Sequence, residues 1–178
     1  MGNVVEVFKS CLTVILGAAA ALGGCTSDVI TSTQPQPSFY ASMANPDAVV
    51  DAAAAASMIS GYRANAGLGA VAIDADLMRL AADEAKAMAA KDRLDRSAGR
   101  AFAQQLSGAG FAVKGAVENV GAGYHTLAEA FSGWRDSPPH RANMLNAGAN
   151  RLGIAAVYAP QSKYKVFWAL IMASKDSS

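Results

Sequence analysis

The chain has 178 residues, 52% of them hydrophobic, 7% aromatic and 16% charged, with 15 Lys and Arg against 14 Asp and Glu. That length fits one domain plus an extension, and the composition points to a core of small, tightly packed side chains. A formal net charge of +1 with no basic block argues against a nucleic-acid partner, because phosphate backbones are bound by clustered Lys and Arg.

The N-terminus reads as an export signal. Lys9 precedes an apolar run from Cys11 to Leu22, too short to span a bilayer comfortably as a permanent helix. The run ends in Leu22-Gly23-Gly24-Cys25, which resembles a bacterial lipobox, where lipid is added to the cysteine and the chain is cut just before it. The expected division is a lipoprotein signal peptide over residues 1–24, a flexible tether over 25–46 and a folded domain over 47–174, with the membrane as a partner through lipid on Cys25. An ordinary secretory signal and an uncleaved anchor are the alternatives. Cys11 and Cys25 are the only cysteines, so a cleaved domain holds by packing without a disulfide. The Ser, Thr, Gln and Pro of residues 26–45 suit a tether.

Within the domain, Asp47 is positioned to cap a helix running to about Ala66, where Gly67 stops it; Val49, Val50, Ala53, Met58, Ile59 and Tyr62 form its apolar face. A short extended piece, Val71-Ala72-Ile73, follows. Asp74 or Asp76 then begins a helix to about Lys91, with Leu77, Leu80, Ala81, Ala85 and Met88 at helical spacing. A shorter helix covers Arg100 to Leu106 and breaks at Gly108. Phe111 to Gly123 is glycine-punctuated and partly extended. Thr126 begins a helix ending near Asp136, Pro138 and Pro139 turn the chain, and His140 to Leu145 forms a short helical stretch. Alternating segments Leu152–Tyr158 and Tyr164–Met172 pair as an antiparallel hairpin. Helices first and a hairpin last predict an α+β fold, with helices packed on an antiparallel sheet.

The polar chemistry is concentrated in one span: Glu118-Asn119, Glu129, Trp134, then Ser137-Pro138-Pro139-His140-Arg141 with Asn143-Met144-Leu145. Thr126-Leu127-Ala128-Glu129 matches a capping box, which gives Glu129 a structural role of its own. Glu118 sits in an apolar, glycine-rich stretch, and a buried glutamate needs a partner; Arg96, His140 and backbone amides are the candidates. Trp134 reads as core, His125 as exposed, Asn143 as a turn residue bonding local backbone, and Ser137 as a turn or cap residue.

The ordered set of these pieces resembles the superfamily of cysteine-rich secretory proteins, antigen-five and pathogenesis-related proteins, the CAP (SCP) domain, in its short bacterial disulfide-free branch. Asn65-Ala66-Gly67-Leu68, Ala72-Ile73-Asp74-Ala75-Asp76-Leu77, Ala85 with Met88-Ala89, Glu118-Asn119, Glu129, Trp134, the Ser137–Leu145 stretch and Leu152-Gly153-Ile154 carry the resemblance over about residues 50–172. It implies a three-layer α-β-α sandwich with a small central antiparallel sheet, and a cleft of two His and two Glu able to bind a divalent metal in some members. Carried over, the second His is His140 and the acids are Glu118 and Glu129. The first His belongs in the segment 93–99, where this chain places Arg96.

Arg96 brings a fixed positive charge that repels a divalent ion and forks onto carboxylates instead. The expected cofactor is therefore none, with the family's zinc site impaired. The expected function is a non-enzymatic binding or scaffolding lipoprotein of the bacterial cell envelope, facing periplasm or exterior, whose cleft of Arg96, Glu118, Glu129 and His140 takes a small polar or anionic ligand or an envelope component. Two other readings stay open. One is a hydrolase of an envelope polymer or peptide, with Glu118 or Glu129 as general base and His140 as acid; the other is a lipid or sterol carrier.

Overall fold

The computed structural model describes residues 36–94 and 100–175. Contacts divide the chain into Met1–Gln34 and Pro35–Ser178, and the described residues belong to the second unit. Helix α1 spans Ala52–Ala64, β1 Ala72–Ile73, α2 Ala75–Lys91, α3 Arg100–Gly108, β2 Val117–Ala122, α4 Leu127–Asp136, α5 Pro138–Met144, β3 Arg151–Tyr158 and β4 Val166–Ala173. The order across the sheet is β1-β3-β4-β2. The β3–β4 hairpin and the β2–β4 pair are antiparallel, as expected, but β1 pairs with β3 in parallel over Ala72–Arg151 and Ile73–Leu152. A two-residue strand followed directly by a helix contributes only an edge, so the fold remains α+β.

The layering is written in β4. Every residue of that strand is buried, and its side chains alternate between two cores. Val166, Trp168, Leu170 and Met172 join Ile59, Leu127, Ala130 and Trp134 on the α1/α4 face. Phe167, Ala169, Ile171 and Ala173 join Leu77, Leu80, Ala85, Met88 and Leu106 on the α2/α3 face. A central strand buried on both faces reads as a continuous apolar run, which is what Val166-Phe167-Trp168-Ala169-Leu170-Ile171-Met172-Ala173 is. Trp134 and Trp168 meet edge to face at 6.5 Å between ring centres, with Trp134 fully in the core as expected.

Two boundaries move. The first long helix is capped by Asp51, whose carboxylate accepts the Ala54 amide at 2.9 Å, and not by Asp47. The Asp47 amide is taken by the Asn45 side chain at 3.0 Å, an Asx turn that holds this residue outside the helix. Val49, expected on an apolar face, is consequently 84% exposed, while Val50 is buried. The chain also packs before residue 47. A 3-10 turn at Ser38–Tyr40 places Phe39 against the α1/α4 core, Met43 is buried, and its amide donates to the His125 carbonyl at 2.7 Å. Residues 36–46, read from composition as tether, therefore lie on the domain.

Helix α2 follows the sequence reading closely. Asp74 caps it through the Asp76 and Leu77 amides at 2.9 and 3.3 Å. Gly153 in β3 lets the two elements touch, because a Cβ there would fall on the Leu77 carbonyl and the Met78 amide.

Candidate functional site

The predicted polar span folds around β2 and α5, and two asparagines join these elements. Asn119 is buried, and its amide donates to the His140 carbonyl at 2.9 Å. The Asn143 amide donates to the Glu118 carbonyl and to Asn119 Oδ1, both at 2.9 Å. Asn143 is thus a long-range clamp onto β2 and not the local turn residue expected from sequence. Its pairing also assigns the Asn119 amide orientation, since Oδ1 must accept and Nδ2 must donate. The clamp fixes the start of α5, and with it His140, beside the Glu118–Asn119 backbone.

Helix α5 can begin so abruptly because Pro138 and Pro139 occupy its first turn, where a missing amide costs nothing. Ser137 stands at the N-cap but makes no capping bond with its side chain. His140 is half-buried. Strand alternation puts Asn119 and Gly121 on the α4/α5 face of β2, and Glu118 with Val120 on the α2/α3 face. Glu118 is half-buried overall, with one carboxylate oxygen, Oε1, shielded from solvent.

Glu129 is the departure. It is exposed, its amide donates to Thr126 Oγ1 at 3.2 Å, and its Oε2 accepts the His125 amide at 2.6 Å. This is a capping arrangement shifted by one residue, the glutamate reaching back to the amide before the cap. A carboxylate at the first turn of α4 also meets the positive end of the helix dipole. His125 itself is exposed, as expected. Arg96 lies outside the described residues, as does Cys25. Among the described residues no three of His, Cys, Asp and Glu gather where they could hold a metal ion, and the Glu129 carboxylate is already engaged.

One functional support was invisible in the sequence. Arg63, in the last turn of α1, is buried with 1% exposure. Its guanidinium donates to four carbonyls: Gly69 at 2.8 Å, Met144 at 2.9 Å, Asn146 at 2.8 Å and Ala149 at 2.9 Å. Burial lowers its pKa from the usual arginine value. The carbonyls of Met144, Asn146 and Ala149 are the C-terminal end of α5 and the loop beyond it, so Arg63 anchors the far end of the helix whose start carries His140. An arginine in a helix reads as a solvated residue; only the paucity of other long polar side chains in α1 hinted otherwise.

A two-faced sheet under helices, with a histidine helix clamped to a glutamate strand, defines a mixed α-β-α sandwich of the secretory-protein kind. The family model described as CAP, cysteine-rich secretory protein family, matches residues 56–172. The chain belongs to that family. Its fold is similar to an outer surface protein from Borrelia burgdorferi, with a TM-score of 0.61, 17% identity, and 71% of this chain and 93% of that one covered. It is also similar to a cysteine-rich secretory protein from Staphylococcus aureus (TM-score 0.56, 20% identity, 69% of this chain and 38% of that one). An extracellular SCP-domain protein from Bacillus anthracis gives a TM-score of 0.55 and 23% identity, over 67% of this chain and 39% of that one. This chain thus spans under two-fifths of the latter two proteins. Compared with curated protein sequences, it finds no significant match.

Proposed function

We propose that this protein is a non-enzymatic binding module of the bacterial cell envelope, lipid-anchored through Cys25, whose polar cleft, set at the β2 edge of the sheet where Glu118, His140 and Arg96 can meet from both faces, takes a small polar or anionic ligand. The observation that carries the reading is the asparagine clamp, which holds His140 beside β2 through its backbone carbonyl. Glu129, which an acid–base pair or a metal would need, is committed to capping α4. That capping role occupies one of its two oxygens and supports binding over hydrolysis. Arg96 supplies the cation that an anionic ligand requires. Outer-surface and extracellular proteins among the similar structures support a location at the envelope or outside the cell, and the lipobox-like Leu22–Cys25 sequence supports the anchor. No helix among the described residues is long and apolar enough to cross a membrane.

Two measurements test the proposal. Mass spectrometry of the protein purified from membranes should find a diacylated Cys25; an intact or unlipidated N-terminus removes the anchor. Titration of the full chain with inorganic phosphate, followed by the His140 imidazole NMR signals, should move those signals in the wild type and not in Arg96→Ala. Immobile His140 signals at saturating phosphate and acetate would remove the anionic ligand.

A further inference from the structure

A second binding surface lies along β3. Its eight residues pair with β4 throughout, but on the other side β1 covers only Arg151 and Leu152. From Ile154 to Tyr158 that edge has no strand partner among the described residues. The register tells which groups face it. Ala72 and Asp74 donate to the Asn150 and Leu152 carbonyls, and the Ile154 amide donates to Met78 Sδ at 3.2 Å. The even-numbered residues therefore point their backbone outward, so the Ile154 carbonyl and both backbone groups of Ala156 and Tyr158 face the edge.

The strand itself carries neither of two usual guards. Ile154-Ala155-Ala156-Val157-Tyr158 contains no charge and no proline, the devices by which sheets discourage further pairing. It is also recessed. A hollow of about 230 Å³ is lined by Val49, Val50, Met78, Ala82, Ala155 and Ala156. A second of about 370 Å³ is lined by Pro46, Ala48, Ala156, Val157, Tyr158 and Pro160. They share Ala48 and Ala156, and no charged side chain lines either, so they form one uncharged trough above the strand edge. Val49, 84% exposed, stands at its mouth.

We infer that this trough binds an extended, uncharged peptide segment as a fifth strand beside β3. Repeating outward N–H and C=O groups at strand spacing are matched by another extended backbone, and uncharged hollows, one of them lined also by Asn45, accept its alternate side chains. Both hollows are walled by residues of the 46–50 segment, so an occupant must lie between that segment and β3, which suits a lone strand better than a second copy of the domain. The span Ile154–Tyr158 accommodates about five residues, ~16 Å of strand at ~3.3 Å each.

The test is amide hydrogen exchange on the full chain, with and without the capped hexapeptide acetyl-Thr-Val-Thr-Val-Thr-Val-amide. Ala156 and Tyr158 should exchange freely alone and at least ~10-fold more slowly with saturating peptide. The same peptide N-methylated at alternate residues should give no protection. Ala156→Pro should also abolish it, since that amide faces outward and its loss leaves the β4 ladder intact; unchanged exchange at Val157 and Ala155 certifies the fold. His140→Ala should leave the peptide effect unaltered, which separates this surface from the polar cleft. No protection at millimolar peptide overturns the inference. So does protection of Ala156 without peptide, whether it grows with protein concentration, as a second copy would cause, or is independent of it, as the chain's own N-terminal segment would cause.

Discussion

Replacing Arg63 should be among the most destabilising single changes in the domain. The side chain is 1% exposed and donates to the carbonyls of Gly69, Met144, Asn146 and Ala149. A hydrogen bond from a charged donor contributes ~1.5–3 kcal/mol net, and a buried carbonyl left without a donor costs ~1–3 kcal/mol. These contributions do not add fully, because water can reach the loop carbonyls once the side chain is gone. Arg63→Ala should therefore cost ~4–6 kcal/mol, against a typical domain stability of ~5–15 kcal/mol. Arg63→Met separates the causes: it refills the volume without donors, and should recover no more than ~2 kcal/mol of cavity cost. Arg63→Lys keeps the charge but replaces the planar fork by one compact ammonium, and should fall between wild type and Ala. Urea unfolding followed by circular dichroism reads all three; with a slope of ~1–3 kcal/mol per M, the alanine midpoint should fall by ~2 M or more. An alanine variant within ~1 kcal/mol of wild type would refute the reasoning, since four satisfied carbonyls would then have been worth nothing.

Other changes discriminate rigid from adaptable contacts. Gly153→Ala drives a Cβ into the Leu77 carbonyl and Met78 amide, both backbone, so α2 must lift from the sheet; a loss of ~3 kcal/mol or failure to fold is expected, read by thermal unfolding. Gly133→Ala meets only the hydroxyl end of Tyr124, a side chain that can swing away, and should cost less, ~1–2 kcal/mol in the same assay. Asn143→Ala removes two hydrogen bonds from the clamp and should cost ~1–3 kcal/mol while shifting the His140 amide signal; an unmoved His140 would sever the link between clamp and site. Asp51 is held below the usual carboxylate range, first by the Ser38 hydroxyl at 2.6 Å and then by the Ala54 amide. Its folded pKa being depressed, its stabilisation is complete above the unfolded value of ~3.9 and is lost as pH falls through the folded one. NMR titration should place Asp51 below ~3.9 in the wild type and move it upward in Ser38→Ala.

Most of the fold was legible because its elements are locally consistent. Asp74 caps α2, apolar residues recur along it at helical spacing, and the β3–β4 hairpin shows as two apolar segments around Ala159-Pro160-Gln161-Ser162. The start of α1 was not legible: the sequence points to Asp47 as the cap, the helix begins four residues later at Asp51, and tertiary contacts decide. The Asn45 side chain takes the Asp47 amide, and Ser38 supports the Asp51 carboxylate. The strap at residues 36–46 looked like tether because the whole stretch 26–45 is rich in Ser, Thr, Gln and Pro, while its packing rests on Phe39, Met43 and Ala44. At the site, Glu118, Glu129 and His140 were named from the chain, and so was the capping alternative for Glu129. The Asn119–Asn143 pair and the bonds of Arg63 to the end of α5 escaped because those partners lie 24 and more than 80 positions away, where no local pattern reaches.

The central claim is that the cleft receives a polar or anionic ligand and does not hold zinc in the family's manner. Calorimetric titration of the full chain with zinc, in wild type and His140→Ala, tests it most directly. The account predicts no tight one-to-one event in either protein. Tight one-to-one zinc binding that His140→Ala abolishes would contradict it.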